Sequence, residues 1–202
     1  SDDDKFFSSG VDVNFIKSHQ TYEGGYKMAT LMHDTMWRLS LLPFVTVSLV
    51  RGRALGGGAE ICTATDFRAF SPSGSVKFIQ AKIGLVSSYS GSRLVRLIGP
   101  KETLKLLLSC RTVDSKEAVS LGLCDLITYG EGDRAINETV LWIKENFLDN
   151  AHIDAIKSMK SICQRPNFNP TFEDNLKHEK SVFTTRWGGD AFAKAINKGI
   201  KH

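Results

Sequence analysis

The composition of this 202-residue chain is that of one folded globular protein rather than a disordered or membrane-spanning one. It has 42% apolar and 24% charged residues and no low-complexity segment, so it can bury a core. Its longest apolar stretch, residues 41–50, is far shorter than the roughly 20 residues of a membrane span. The net charge of +4 is distributed along the chain, which argues against a nucleic-acid interface but suits an anionic ligand.

The cysteines and the first residues bear on where the protein is found. The cysteines lie far apart, lack the close spacing of a zinc site and follow no secretory signal. We therefore expect four buried thiols in a reducing compartment: Cys62, Cys110, Cys124 and Cys163. The chain begins at Ser1 without an initiator Met, so we expect an N-terminally truncated protein. Since no targeting segment is visible in the sequence, we expect it in the cytosol. A mitochondrial location stays open, because a targeting segment could precede Ser1.

The first predicted helix is amphipathic and runs from Tyr26 to Leu42, where Pro43 ends it. Residues 44–50 are apolar and largely β-branched, which predicts a strand buried on both faces. That strand leads into Gly56-Gly57-Gly58 and then into a short helix that ends at Thr65. This part of the sequence therefore predicts a unit of strand, glycine turn and helix.

Short strands and helices are predicted to alternate up to residue 130. The predicted strands are 66–70, 76–79 and 123–128. One helix spans 93–98 and ends at Gly99-Pro100, and another begins at the capping residue Asp114 and ends at Gly122. Helical patterns follow at 135–147, 153–163, 172–183 and 191–196. We expect an α/β core at 1–130 and a helical region at 131–202.

Two glycine-flanked segments are the candidates for chemistry, Ser8-Ser9-Gly10-Val11-Asp12 and Gly56-Gly57-Gly58. Glycines lack Cβ atoms, so the main chain can turn sharply there and present N–H groups to one oxygen. The second segment also begins a helix, whose unpaired amides favour a developing negative charge. A glycine triplet alone is more often a tight connection than a catalytic site, and this one has neither P-loop nor Rossmann spacing.

The order of motifs resembles that of the crotonase (enoyl-CoA hydratase/isomerase) superfamily over nearly the whole chain. Residues 7–12, FSSGVD, are similar to the family segment F-x-x-G-x-D, and residues 50–60, VRGRALGGGAE, to V-x-G-x-A-x-G-G-G-x-E. Residues 66–68, DFR, and 93–99, RLVRLIG, resemble two further family segments. The resemblance implies a crotonase-like α/β spiral of ββα units with a helical C-terminal region, and an acyl-CoA thioester as the ligand.

The same resemblance assigns roles to residues of both glycine turns. By motif position, the N–H groups of Ser9 and Gly57 would form the oxyanion hole that polarises the thioester carbonyl. The neighbouring residues of the two motifs would contact the substrate: Phe7, Gly10, Val11, Asp12, Gly56 and Gly58.

Glu60 matches the first of the two glutamates that hydratase members of the family use. The second falls at Gln80, or at Lys82 if the register shifts, and neither side chain is a carboxylate. Adding water across a double bond needs a paired acid and base, so this difference argues against hydration. The glycine motif, the altered second position and the tail Trp187-Gly188-Gly189-Asp190 look like the ethylmalonyl-CoA decarboxylase branch.

That branch implies decarboxylation of ethylmalonyl-CoA or methylmalonyl-CoA to butyryl-CoA or propionyl-CoA through an enolate. Tyr89 is the candidate for the polar group that contacts the leaving carboxylate or delivers a proton. No metal is expected, and no cofactor other than the CoA of the substrate. The helical C-terminal region would complete the pocket and form a homotrimer or a dimer of trimers. The alternatives are enoyl-CoA hydration or isomerisation, and a truncated protein without activity.

Several of these residues also have simpler interpretations. Glu60 could be a solvated residue in the first turn of a helix, and Tyr89 a half-buried packing aromatic. His33 and His152 lie on predicted helices, where histidines are more often surface or core residues than ligands. Trp187 is expected to anchor the tail by packing rather than to act in catalysis.

Overall fold

The computed structural model describes residues 4–149 and, beyond them, residues 156, 157, 159, 160, 163, 173, 177, 180, 183, 184, 187 and 189–198. The strands are β1 (Phe6–Ser8), β2 (Val47–Val50), β3 (Arg53–Leu55), β4 (Phe67–Phe70), β5 (Ser75–Lys77), β6 (Val113–Asp114) and β7 (Leu126–Ile127). The helices are α1 (Val13–Ser18), α2 (Tyr22–Ser40), α3 (Gly57–Cys62), α4 (Gly91–Ser109), α5 (Ser115–Leu121), α6 (Gly132–Ile143) and α7 (Asp190–Lys198). A 3-10 turn spans Gln80–Ile83, and a π-helical turn spans Lys144–Leu148.

The described strands form two sheets between which the chain passes back and forth. The first sheet has the order β1-β3-β5-β6 and the second β2-β4-β7. Neighbouring strands are parallel except for β5 and β6. From β1 to β5 the chain alternates between the two sheets. Neighbouring parallel strands of one sheet are therefore separated in sequence by a strand of the other sheet. This winding confirms the mixed α/β class.

Two clusters of buried apolar residues hold the fold together. The first, here called the sheet core, consists of side chains from the strands and from α4 and α5, among them Val50, Phe70, Val76, Leu94 and Val113. The second, here called the helical core, lies among α1, α2 and the C-terminal part of the chain and comprises Ile16, Ala29, Ile83, Leu85, Tyr89, Phe183, Trp187 and Ile196.

The structure confirms the helix predicted after Asp114, whose Oδ1 accepts a hydrogen bond of 2.8 Å from the Glu117 N–H. Gly122 ends that helix in the left-handed region, with φ 82°. The structure confirms the predicted stop of the preceding helix at Gly99-Pro100, and a second helical segment follows directly. Gly99 leaves the helical conformation, with φ 76°, but the chain re-enters a helix at Pro100 and continues to Ser109. Proline is favoured at the first position of a helix, so Pro100 begins the second helical segment.

The first two elements were absent from the predicted order. β1 has three residues, too few for an alternating pattern to show. α1 has six residues, and Asp12 is its N-cap: the Asp12 Oδ1 accepts hydrogen bonds from the N–H groups of Asn14 at 2.6 Å and Phe15 at 3.3 Å. Asp is a preferred N-cap residue, so the start of α1 could have been found from this position.

The cysteine prediction holds for only part of the set. Cys62 and Cys124 are buried, but Cys110 is half-buried and Cys163 is exposed, so the expectation of four buried thiols is wrong. Most of the predicted helices 153–163 and 172–183, together with His152, lie outside the described residues. Within the described part, Lys160 joins the C-terminal region to the second sheet: its Nζ lies 2.7 Å from both the Phe44 carbonyl oxygen and Asp66 Oδ2.

Candidate active site

The two glycine turns lie side by side at the carboxyl ends of adjacent strands. β1 and β3 are parallel, with Ser8 opposite Ala54, so the residues that follow each strand reach the same edge of the sheet. Gly10 has φ +90°, and a Cβ placed on it would lie 2.9 Å from the Leu55 carbonyl oxygen and 3.3 Å from the Gly57 nitrogen. No larger residue fits there without separating the turns.

Gly57 is the first residue of α3, so its N–H has no partner within the helix. Gly56 precedes it in a conformation, φ 51° and ψ −119°, that favours glycine. Gly58 packs against Ser8, since a Cβ on Gly58 would approach the Ser8 carbonyl oxygen to 2.5 Å. Gly56 and Gly58 are therefore required by the geometry of the turn, and the N–H group of Gly57 between them lies at the positive end of a helix.

Both turns face one pocket with about 620 Å³ of space, including its open mouth. The backbone turns and two polar side chains line one part of it: Ser9, Gly10, Gly56, Gly57, Glu60 and Gln80. Apolar and aromatic side chains line the rest: Val11, Val13, Ile16, Ile79, Ile83, Leu85, Val86, Tyr89, Phe183 and Trp187. The structure thus brings Ser9, Gly57, Glu60 and Tyr89 together, as the sequence placed them in one site.

Three residues predicted to contact a substrate do not line this pocket. Phe7 packs against the sheet core, Asp12 caps α1, and Gly58 packs against Ser8. Each therefore shapes the pocket through its neighbours. Among the other residues of that set, Gly10, Val11 and Gly56 do line the pocket.

Glu60 is a buried residue, only 2% exposed, so the solvated first-turn interpretation is wrong. Its carboxylate accepts hydrogen bonds from Gln80 Nε2 at 2.9 Å, from the Tyr89 N–H at 3.1 Å and from the Ser90 hydroxyl at 3.2 Å. Donors from three positions fix its orientation, because a buried carboxylate is stable only where its lone pairs are satisfied.

Gln80, not Lys82, occupies the position beside Glu60. The Gln80 side chain is 6% exposed and lines the pocket, whereas Lys82 is exposed on the far side of the 3-10 turn. The neighbour of Glu60 is therefore a neutral amide that donates a hydrogen bond to it. An amide cannot exchange protons as a second carboxylate would, so the described site has no glutamate pair.

Tyr89 is buried, at 3% exposure. Its side chain belongs to the helical core, and its backbone N–H donates to Glu60. Burial, with a smaller contribution from Glu60, raises the pKa of its phenol well above the ordinary value, so the hydroxyl keeps its proton. Its ring contacts His33 edge-on at a centroid distance of 6.1 Å and Phe183 at 5.6 Å. The residue is both a packing aromatic and a lining residue of the pocket.

His33 lies behind Tyr89 rather than in the pocket. It is 6% exposed, and neither ring nitrogen bonds to a described residue. Burial and the nearby Arg93 lower its pKa to about 4. At neutral pH this imidazole is therefore uncharged and acts as a core residue, one of the two interpretations that its sequence position favoured.

Sequence patterns did not single out two residues that the structure adds to the site. Arg93 Nη1 donates a 2.6 Å hydrogen bond to the Tyr89 carbonyl, which holds the backbone that also donates to Glu60. Its place at the head of the family-like segment 93–99 was a usable signal. Phe183 lines the pocket from the C-terminal region, and no local pattern could have placed it there.

Trp187 is buried, at 4% exposure, as expected of an anchor, and it also lines the pocket. Its indole Nε1 donates a hydrogen bond to the His19 carbonyl. Among the residues that the structure describes, no cluster of His, Cys, Asp or Glu is arranged to hold a metal ion. None of the described helices combines the length and apolar character that crossing a membrane requires.

The parallel strands, the paired glycine turns and the buried glutamate define a crotonase-fold protein. The fold is similar to that of an enoyl-CoA hydratase from Bacillus halodurans, with a TM-score of 0.84 and 23% identity over 98% of this chain and 78% of that one. An enoyl-CoA hydratase/isomerase from Mycobacterium paratuberculosis gives a TM-score of 0.82 at 17% identity, over 96% of this chain and 76% of that one.

The chain belongs to the enoyl-CoA hydratase/isomerase family, whose model matches residues 1–199. Within that family it is similar to proteins named ethylmalonyl-CoA decarboxylase. The Xenopus tropicalis protein is 38% identical over 97% of this chain, and the Homo sapiens protein 35% identical over 95%. The chain spans 65% and 62% of the length of these two relatives.

Proposed function

We propose that this protein decarboxylates ethylmalonyl-CoA or methylmalonyl-CoA to butyryl-CoA or propionyl-CoA. One observation carries the proposal: the two glycine turns meet at Gly10 and Gly57, beside a buried glutamate whose neighbour is the amide of Gln80. Two relatives named for this activity are 38% and 35% identical to the chain over 97% and 95% of its length.

The reaction breaks the bond between C2 of the malonyl group and its carboxylate. The electron pair of that bond moves into C2 and the thioester carbonyl, so CO₂ leaves and an enolate remains. The N–H groups of Ser9 and Gly57 are proposed to donate to the enolate oxygen, where preorganised donors stabilise the developing charge by several kcal/mol. A proton added to C2 then gives the saturated acyl-CoA.

Glu60 and Gln80 are proposed to orient the reacting end of the substrate rather than to activate water. Hydration needs an acid and a base acting together, and the neutral amide of Gln80 supplies neither. Decarboxylation needs only that the bond to CO₂ stand across the plane of the thioester and that the enolate be held. The difference at position 80 is therefore the observation that favours decarboxylation over hydration.

Tyr89 is proposed to contact the leaving carboxylate or to deliver the proton to C2. Its hydroxyl keeps its proton because burial raises the pKa of the phenol, so it can donate a hydrogen bond to an anion. The apolar surroundings that bury it also weaken the solvation of a carboxylate, which favours the loss of CO₂.

The reaction as proposed needs no metal and no cofactor besides the CoA of the substrate. The C-terminal region contributes Phe183 and Trp187 to the pocket, consistent with its proposed role in completing the acyl-CoA site. We also propose that it supports a homotrimer or a dimer of trimers.

The test is CO₂ release from ethylmalonyl-CoA by the purified protein, with formation of butyryl-CoA followed by mass spectrometry. Crotonyl-CoA in a parallel assay separates decarboxylation from hydration, and water addition at a higher kcat/KM would replace the proposal with the alternative. A rise in Tm with CoA but no turnover of either thioester would indicate a protein that binds without catalysis.

A further inference from the structure

Three aromatic rings form a row along the pocket beyond Glu60. Tyr89, Phe183 and Trp187 all line the pocket, at exposures of 3%, 2% and 4%. The ring centroids of Tyr89 and Phe183 are 5.6 Å apart, and those of Phe183 and Trp187 are 5.0 Å apart. The Tyr89 N–H binds Glu60, so Tyr89 is the ring of this row that is tied to the carboxylate, and Phe183 lies in its middle.

The far end of this row is fixed. The Trp187 indole donates to the His19 carbonyl. Its ring also occupies the space beside Gly25 of α2, where any side chain on Gly25 would collide with it. Trp187 therefore cannot move outward without losing a buried hydrogen bond and a close packing contact.

The near end is fixed as well. The Tyr89 backbone donates to Glu60 and accepts from Arg93, and its ring packs on His33. Phe183 thus lies between two held rings, and its own phenyl ring offers no hydrogen bond to a charge. Its part of the pocket lining therefore favours an alkyl group over an anion, whereas the Tyr89 hydroxyl is the donor proposed for the leaving carboxylate.

We infer that Phe183 sets the length of the alkyl substituent that the pocket accepts at C2 of a malonyl thioester, with methyl and ethyl preferred over longer chains. This inference rests on the proposed function, which assigns the reacting carbon to the side of Ser9, Gly57 and Glu60. A substituent long enough to reach Phe183 must displace a ring that packs against Tyr89 and Trp187, and overpacking of this kind is unfavourable.

The experiment compares kcat/KM for methyl-, ethyl-, propyl- and butylmalonyl-CoA in the wild type and in Phe183→Leu. We expect the wild type to lose at least tenfold between ethyl and propyl. Phe183→Leu should raise the propyl-to-ethyl ratio at least fourfold, the factor that about 0.8 kcal/mol for one buried methylene represents. An unchanged ratio overturns the inference.

Phe70→Leu is the matched control, because Phe70 is equally buried, at 1% exposure, but belongs to the sheet core and does not line the pocket. It should lower Tm and leave the propyl-to-ethyl ratio within twofold. If Phe183→Leu fails to fold, Phe183→Met keeps most of the volume on a flexible side chain and should shift the ratio in the same direction. The inference fails if Phe70→Leu shifts the ratio as much as the Phe183 variant does.

Binding separates this inference from the proposed function. The ethyl group of ethylmalonyl-CoA corresponds to the last two carbons of butyryl-CoA, so saturated thioesters probe the same space without reacting. Phe183→Leu should strengthen hexanoyl-CoA binding relative to butyryl-CoA at least fourfold in Kd, even if no CO₂ is released. No turnover together with this shift removes the proposed function alone, whereas equal relative affinities remove the inference.

Discussion

Two regions of the chain contribute different groups to the pocket. The N-terminal region contributes main-chain groups of the Ser9 and Gly57 turns and the carboxylate of Glu60, which adjacent strands and a short helix position. The C-terminal region, more than a hundred residues away in sequence, contributes the aromatic side chains of Phe183 and Trp187. Backbone groups on strand ends hold reacting atoms in place, whereas side chains set the shape of what fits beside them.

The largest expected effect is on the backbone side, from Gly57→Pro. Proline removes the N–H proposed to hold the enolate, and it is tolerated at the first position of a helix, so α3 should still form. We expect kcat for CO₂ release to fall by about 100- to 1000-fold, the usual loss of one oxyanion donor.

Gly57→Ala is the control for this change, because it keeps the N–H and its Cβ would lie 3.5 Å from Val11 Cγ2, an ordinary contact. It should keep at least a tenth of the activity. Equal losses for the proline and alanine variants would show that the N–H is not what matters at this position.

Glu60→Ala should have the next largest effect, on stability as well as activity. It leaves the Gln80 amide, the Tyr89 N–H and the Ser90 hydroxyl without their acceptor in a buried site. Buried donors that lose a partner cost about 1–3 kcal/mol, so the free energy of unfolding should fall by at least about 2 kcal/mol in urea denaturation. Glu60→Gln keeps an acceptor and should lose less, and equal stability of both variants to the wild type would contradict the observed network.

Lowering the pH should reduce the free energy of unfolding through His33, which packs against Tyr89. The pKa of His33 is about 4 in the folded protein, against 6.5 as its ordinary value, so the unfolded chain binds a proton more readily. Stability is fully present above pH 6.5 and falls as the pH drops toward 4, by about 1–3 kcal/mol. Arg93 and Lys180 face this imidazole and oppose its charging, while Asp34 favours it.

His33→Phe should remove this contribution to the pH dependence. Urea midpoints measured between pH 4 and pH 7 would then change less in the variant than in the wild type. The same pH dependence in both proteins would mean that another group is responsible.

The smallest effect is expected for Tyr89→Phe, which tests whether the Tyr89 hydroxyl takes part in the reaction. The ring contacts with His33 and Phe183 remain, so the free energy of unfolding should change by no more than about 1 kcal/mol, the usual net contribution of one hydrogen bond. CO₂ release should fall by about tenfold, the factor that about 1.5 kcal/mol for one hydrogen bond to a charged group represents. Unchanged turnover would leave Tyr89 as a packing residue only.

Local patterns were enough for the elements whose signals lie next to one another in sequence. Asp114 and Gly122 mark the ends of α5, because an N-cap and a left-handed glycine act within a few residues. Gly99 and Pro100 mark the break inside α4, since a left-handed glycine ends one helix and a proline can begin the next. β1 and α1 are too short for their periodicity to be visible.

The sequence by itself determined the crotonase-like α/β class and the two glycine turns. A position with φ above zero, or with no room for a Cβ atom, requires glycine, so such turns are visible in the sequence. Only the tertiary structure decided that Gln80 rather than Lys82 faces Glu60, since a shift of two residues in the 3-10 turn separates a buried side chain from an exposed one. It also placed Phe183 and Trp187 in the pocket, since contacts between distant segments depend on packing that no local pattern records.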